Sequence, residues 1–183
     1  MNVVVVGLGK IGLPLAVQYA RSGAHVTGLD VASGVVDAVN AATEPFPGEH
    51  GLADGLLEVV PTGMLRATTD AAAAIPGADV VVVVVPLFVD ADGIPDFGWM
   101  DAATDTIGDH LRPGTLVAYE TTLPVGTTRG RWAPRLEARS GLVEGQDFHV
   151  VFSPERVLTG RVFADLRRYP KLVGGLSDQG SAR

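Results

Sequence analysis

The sequence predicts an α/β chain whose core is an open, doubly wound, mostly parallel sheet with helices on both faces. Two observations carry that expectation. Short valine-rich runs recur along the chain and are nearly unbroken rather than alternating in polarity, which is how strands buried on both faces read. Between them lie segments whose apolar residues return every three or four positions, the period of a helix with one buried face. Strands alternating with such helices form βαβ units, and right-handed crossovers then lay helices on both sides of the sheet.

In chain order, Val3–Val6 is the first strand, and a helix with Ile11, Leu15 and Tyr19 on one face follows it. His25–Leu29 is the second strand, with a helix starting near Ala32, and residues 44–62 read as a loop carrying a short helix. Leu65–Thr68 is a weaker strand candidate. Val80–Val85 is the long central strand. Met100, Ala103, Ile107 and Leu111 mark a helix closed by Pro113-Gly114. Thr115–Tyr119 and Phe148–Phe152 complete the main strands, and Lys171–Val173 is a second weak candidate. Pro134 sits inside an otherwise helical stretch, Thr127–Arg139, and is expected to kink or shorten it. Residues 1–176 read as one domain, and the polar residues 177–183 as a frayed tail or the start of a further helix.

Composition narrows the function. A chain of 183 residues, 46% apolar, buries one substantial core. The net charge is −7 and Lys and Arg are scattered, with Arg167-Arg168 the one adjacent pair, so no patch can neutralise a row of phosphates and no nucleic-acid partner is expected. The longest apolar run starts at Val80, continues past Pro86 and ends at Val89, far shorter than the roughly 20 residues of a membrane helix, and Met1-Asn2 enters the first strand without a basic leader. A soluble, cytoplasmic protein with no membrane partner is the expectation. The absence of cysteine excludes disulfides, thiolate metal sites and cysteine nucleophiles from this chain, and no metal site is expected.

Gly7-Leu8-Gly9-Lys10-Ile11-Gly12 directly follows the first strand and opens the first helix, the context in which a G-x-G-x-x-G pattern carries meaning. The first glycine permits a sharp turn, the second clears space for a pyrophosphate, and the third lets helix and strand pack closely. Unpaired N–H groups at the helix start, with about half a positive charge from the helix dipole, then face the phosphates. This makes the sheet Rossmann-type. A plain tight turn is the alternative for three glycines alone. Asp30 ends the second strand, where such a fold places the acid that accepts hydrogen bonds from the adenosine ribose. A carboxylate there repels a 2′-phosphate, and Val31-Ala32-Ser33 brings no arginine, so NAD is expected over NADP. Capping of the helix near Ala32 is the other reading of Asp30.

Four further segments follow in order. Val85-Pro86 closes the long valine strand, ahead of Asp92-Gly93 and Pro95-Asp96-Phe97. Glu120-Thr121-Thr122-Leu123-Pro124-Val125-Gly126-Thr127-Thr128, Phe152-Ser153-Pro154-Glu155-Arg156-Val157-Leu158 and Leu172-Val173-Gly174-Gly175 come after it. With the glycine loop, this series closely resembles the UDP-glucose, GDP-mannose and UDP-N-acetylmannosamine dehydrogenase family over nearly the whole chain. The resemblance implies oxidation of the C6 hydroxyl of a UDP-sugar to an acid in two hydride transfers to NAD, through a thioester on a cysteine. It implies that Val85 and Pro86 lie by the cofactor, that Thr122 also lies there and orients the attacking water, and that Glu155 is that water's base. Arg156, Val157 and Leu158, with Glu155, then belong to the loop that contacts the nucleotide sugar.

The residues read on their own are compatible with those roles. Ligands of an open parallel sheet lie off the carboxyl ends of its strands, where Gly7, Asp30, Val85, Glu120 and Ser153 all fall, so one crevice is expected to collect them. A glutamate starts near about 4.3; burial beside Val157 and Leu158 raises it toward the roughly 6–7 that suits a base, and Arg156 opposes this. Thr122 also reads as a turn residue bonding its own backbone, and Glu155 with Arg156 as a surface ion pair.

The chain departs from the family pattern in three ways. The central helix, the sugar-side lysine and asparagine and the cysteine loop of the family do not occur in it, so it reads as the first half of a longer enzyme, binding NAD without turnover. The family's homodimer, built largely on that helix, is expected of the full-length enzyme. Leu87 stands where a threonine commonly follows Val-Pro, and Pro154-Glu155-Arg156-Val157-Leu158-Thr159-Gly160 resembles the loop of enzymes for N-acetylated UDP-sugars. UDP-N-acetylmannosamine or UDP-N-acetylglucosamine is therefore expected ahead of UDP-glucose. Competing readings are a 3-hydroxyacid or 6-phosphogluconate type dehydrogenase, a flavin protein and a non-catalytic NAD-binding module.

Overall fold

The computed structural model describes residues 1–182. From the amino terminus the elements are β1 (Asn2–Val6), α1 (Gly12–Arg21), β2 (His25–Leu29), α2 (Ser33–Asn40), α3 (Leu52–Val59), β3 (Leu65–Thr68), α4 (Ala71–Ala74) and β4 (Val80–Val83). There follow β5 (Phe88–Val89), β6 (Pro95–Asp96), α5 (Gly98–His110), β7 (Leu116–Tyr119), α6 (Ala133–Ser140), β8 (His149–Phe152), α7 (Val162–Arg168), β9 (Gly174–Gly175) and α8 (Asp178–Ala182). Seven strands form one sheet in the order β3-β2-β1-β4-β7-β8-β9, and β5 and β6 make a separate small hairpin. Every pairing in the large sheet is parallel except β8 with β9.

The unbroken valine runs are explained by covering on both faces. Val3 and Val5 of β1 enter a core shared with α1, α2 and α3, whereas Val4 and Val6 enter a second core with Met100, Ile107, Trp132 and Leu136. Alternate side chains therefore point to opposite sides and both sides are apolar. In the second core Tyr119 stacks on Trp132 with ring centroids 4.8 Å apart, and its hydroxyl shares a 3.0 Å hydrogen bond with Thr104.

Differences from the expected elements are local. The central strand ends at Val83, so Val84 and Val85 already belong to the loop beyond it. Lys171–Val173 is not a strand; the short antiparallel strand is Gly174–Gly175. Pro134 divides the expected helix: a π-helical turn spans Thr128–Trp132, and α6 starts at Ala133 with the proline in its first turn, where a missing N–H costs nothing. In the polar tail, read as frayed or as the start of a further helix, Asp178–Ala182 is helical. Between α5 and the helical stretch that includes α6 runs a ladder of ion pairs, Asp101 with Arg131, Asp105 with Arg135 and Asp109 with Arg139. Among the described residues no helix is long and apolar enough to cross a membrane.

The order of the main strands reverses between β1 and β4, and a doubly wound sheet opens a crevice at such a point, off the carboxyl ends of the strands. The candidate site lies there.

Candidate functional site

The glycine loop leaves β1 and enters α1 at this reversal. Gly7 has φ of +92°, a left-handed conformation that glycine adopts without strain, and its N–H bonds the Leu29 carbonyl at 2.9 Å. A Cβ at Gly12 would lie 1.9 Å from the Gly7 oxygen, so helix and loop are in backbone contact there. No atom lies within 4 Å of where a Cβ on Gly9 would stand. The three glycines thus do different work, and the middle one faces open space at the start of a ten-residue helix. Asp30 ties this loop to the end of β2: one carboxylate oxygen accepts from Leu8 N at 2.7 Å and the other from Ala32 N at 2.9 Å. It is not the cap of α2, whose amino end has no side-chain cap.

Beside the loop lies a cleft of about 480 Å³ whose lining includes Gly7, Gly9, Asp30, Val85, Pro86 and Trp99. Among the described residues the lining holds no lysine or arginine, and Val31 beside Asp30 is fully exposed. Its one carboxylate and bare glycine suit a ligand with a diphosphate and a free ribose diol, and offer no cation to a 2′-phosphate. Lys10 and Ile11 shape the loop without lining the cleft.

A second group of polar side chains gathers at the carboxyl ends of β7 and β8. Glu120 is 2% exposed, and its two oxygens accept from the Tyr19 hydroxyl of α1 at 3.2 Å and from Lys171 Nζ at 2.8 Å. Burial pushes the Glu120 carboxyl up from its usual range, against Lys171 and the Tyr19 hydrogen bond, which act to lower it. The Tyr19 phenol is itself held protonated far above its ordinary range by burial and by the Glu120 charge, so it serves as the donor. Lys171 also pairs with the Glu155 carboxylate, whose side chain is 10% exposed. The Glu155 N–H donates to the Glu120 carbonyl at 3.1 Å, and Thr121 Oγ1 donates to the Val85 carbonyl at 2.7 Å. Hydrogen bonds therefore join this group to the wall of the cleft.

The environment of Glu155 differs from the expected one. Arg156 does not pair with it; its guanidinium donates to the Pro170 carbonyl and lies over the Tyr169 ring. Leu158 is 63% exposed and provides no apolar cover, and Val157 is half-buried. Thr122 is exposed and makes no hydrogen bond among the described residues, so the backbone-bonded turn residue is Thr127, which donates to the Pro124 carbonyl. The loop after Glu155 is tied down by a buried carboxylate from far along the chain: Glu49 accepts from Gly160 N at 2.6 Å and Val162 N at 2.8 Å.

The structure thus brings Gly7, Gly9, Asp30, Val85 and Pro86 into one cleft, while Glu120, Ser153 and Glu155 stand beside it and do not line it. Thr122, Arg156, Val157 and Leu158 follow on the loops of this second group. Sequence reasoning missed Lys171, Tyr19 and Glu49. In the sequence Tyr19 has only the spacing of a core position, and Lys171 lies in no motif.

Comparison with known proteins gives the same assignment. The sequence profile of the "UDP-glucose/GDP-mannose dehydrogenase family, NAD binding domain" matches residues 1–183. The UDP-N-acetyl-D-mannosamine dehydrogenase of Pyrococcus horikoshii is 36% identical over 179 residues, covering 98% of this chain and 42% of the relative. The NDP-N-acetyl-D-galactosaminuronic acid dehydrogenase of Ralstonia solanacearum is also 36% identical, over 94% of this chain and 41% of its own length. Among solved structures, the Pyrococcus horikoshii enzyme superposes with a TM-score of 0.93 at 35% identity, covering all of this chain and 43% of that one. A ternary complex of GDP-mannose dehydrogenase from Pseudomonas aeruginosa gives 0.93 at 29% identity, over all of this chain and 42% of that one. The chain spans about two fifths of the length of these relatives. Its Rossmann-type sheet, its glycine loop with Asp30 and its match along the whole sequence establish that the chain belongs to the UDP-glucose/GDP-mannose dehydrogenase family, of which it is the NAD binding domain.

Proposed function

We propose that this chain is the cofactor-holding part of a nucleotide-sugar 6-dehydrogenase, which oxidises the C6 hydroxyl of a UDP-sugar to a carboxylate in two steps. NAD, when bound, accepts a hydride in each step. The observation that carries the reading is the adjacency at the strand reversal of a cation-free cleft holding Gly9 and Asp30 and a carboxylate group holding Glu155. In this reading Gly7, Gly9, Lys10, Ile11 and Gly12 form the turn that presents backbone N–H groups to the pyrophosphate, and Asp30 accepts from the ribose hydroxyls. Val85 and Pro86 pack against the dinucleotide. Glu155 takes a proton from the water that releases the acid, and the exposed Thr122 hydroxyl orients that water. Glu155, Arg156, Val157 and Leu158 contact the nucleotide sugar.

The substrate we favour is UDP-N-acetylmannosamine or UDP-N-acetylglucosamine, ahead of UDP-glucose. The loop from Pro154 to Gly160 supports this, as do two relatives at 36% identity whose names specify N-acetylated sugars. Residues 1–176 are the NAD-binding domain in this proposal, and a cytoplasmic homodimer is proposed for the full-length enzyme. Because the chain has no cysteine, it supplies no thiol for a covalent intermediate, and by itself it binds NAD without turnover.

Calorimetric titration with NAD and NADP, repeated on Asp30→Asn, tests the proposal. NAD binding stronger than NADP binding, with the preference narrowed in the variant, is the expected result. A folded chain that binds neither overturns it. In the full-length enzyme Glu155→Gln slows acid formation and spares NAD binding; normal turnover would remove Glu155 from the chemistry.

A further inference from the structure

We propose that Lys171 is a positioning residue of the site: its ammonium bridges the buried Glu120 to Glu155, so that one cation fixes the charge and direction of both carboxylates. The inference rests on the proposed base role of Glu155. The bridge is not a surface ion pair, because one end is sealed. Glu120 is 2% exposed and its second oxygen is taken by the Tyr19 hydroxyl, so this carboxylate cannot swing away from Lys171. The other end is restrained through the backbone, since Glu155 N bonds the Glu120 carbonyl at 3.1 Å. Lys171 itself is held in place by its neighbours: Arg156, next to Glu155, donates to the carbonyl of Pro170 and covers the Tyr169 ring. Segment 169–171 and the loop at Glu155 are therefore fastened to each other twice.

A lysine suits this task because an ammonium is a compact charge with three donors, and two carboxylates use only part of them. The charged and titratable groups facing the pair are Tyr19 from α1, Lys171 from the segment before β9, and each carboxylate to the other. With the ammonium present, one of the two carboxylate charges is offset. Without it, two carboxylates share a poorly solvated space, and like charges there drive one of them to take up a proton. A protonated Glu155 cannot accept one from water.

The test follows the carboxyl carbons of Glu120 and Glu155 by NMR in the 13C-glutamate-labelled chain as pH is varied, with assignment from Glu120→Gln and Glu155→Gln. In Lys171→Met the pair binds its first proton about tenfold more tightly or better than in the wild type, a midpoint shift of roughly one pH unit or more, and Lys171→Arg reverses most of it. A merely structural lysine leaves the midpoint in place, and an unmoved midpoint in the folded methionine variant overturns the proposal. If that variant does not fold, Glu155→Gln supplies the measurement. Lys171 then serves Glu120 alone, so the Glu120 midpoint falls below its wild-type value, and an unchanged midpoint again overturns the bridge. NAD titration of the wild type separates the two readings. Absence of NAD binding removes the dinucleotide function without touching the carboxyl titration, whereas NAD binding with an unmoved midpoint removes only the role of Lys171.

Discussion

Replacing Gly12 by alanine would set a methyl carbon 1.9 Å from the Gly7 oxygen and 3.1 Å from its carbonyl carbon. The obstructing atoms are backbone, and Gly7 has little room to retreat, because a Cβ on Gly7 would itself lie 3.0 Å from the Val84 oxygen. Overpacking of this kind costs about 1–3 kcal/mol, and more when backbone must shift. At roughly 2–4 °C per kcal/mol for a chain of this size, Gly12→Ala is expected to lower the melting midpoint by roughly 2–12 °C. Gly9 provides the contrast within the same loop. Its φ is not in the left-handed region and nothing lies within 4 Å of its Cβ position, so Gly9→Ala leaves stability within about 0.5 kcal/mol. That open space is where the proposed pyrophosphate approaches, and a methyl there removes one charge-assisted hydrogen bond worth about 1.5–3 kcal/mol, a loss of NAD affinity of roughly 10- to 100-fold. Thermal melts and calorimetric NAD titrations of the two variants, side by side, check both halves. A Gly9→Ala chain that binds NAD like the wild type would refute the phosphate reading, and a Gly12→Ala chain with an unchanged midpoint would refute the steric argument.

Two other outcomes are expected. Asp101 accepts from Arg131 at 2.8 and 2.5 Å and from Trp132 Nε1 at 3.0 Å, and the Arg131 hydrogen bond is the main cause of its lowered carboxyl pKa. A lowered folded-state value gives stability that is present above the ordinary carboxylate range and lost as pH falls through the lowered one. Asp101→Asn is therefore expected to cost about 1–2 kcal/mol at neutral pH, and the gap to the wild type in urea melts narrows as pH falls below the ordinary carboxylate range; a constant gap would show that charge is not the cause. Trp99 lies on the rim of the cleft at 60% exposure, whereas Trp132 is fully buried. NAD is expected to quench the emission of Trp99 alone, so Trp99→Phe abolishes the fluorescence response while calorimetry still detects binding; a response that survives the substitution would place the ligand elsewhere.

The main strands and the glycine loop were legible because local chemistry specifies them. His25–Leu29 and Leu65–Thr68 have the bounds their apolar pattern suggests, and Gly7 to Gly12 lies between strand and helix as its spacing requires. Errors arose where the signal was not local. Val84 and Val85 continue an apolar run, yet they lie past the last parallel pairing, where apolar character serves the cleft and not the sheet. Gly174-Gly175 pairs with β8 through backbone alone, and glycine has no side chain to signal a strand. The partner of Glu155 was hidden for another reason. Arg156 is adjacent in sequence, but neighbours in an extended segment point apart, and the cation that reaches Glu155 is Lys171, which also binds Glu120 51 residues away. Glu49 is further still from the loop it anchors, 111 residues before Gly160.

The ladder of Asp101, Asp105 and Asp109 against Arg131, Arg135 and Arg139 has identical rungs four residues apart on both sides. Such a pattern is degenerate. Sliding one helix along the other by a single turn would pair Asp101 with Arg135 and Asp105 with Arg139, keeping two rungs of three, and Arg135 already reaches within 3.6 Å of Asp101. Charge thus attracts the two helices without choosing their alignment. The choice falls to features that do not repeat: Trp132, whose indole N–H meets Asp101 while its ring stacks on Tyr119, and Gly108, where a side chain would come within 2.6 Å of the Arg139 Cβ. Gly108→Ala would therefore leave every ion pair chemically possible and still disturb the one alignment in which all three form.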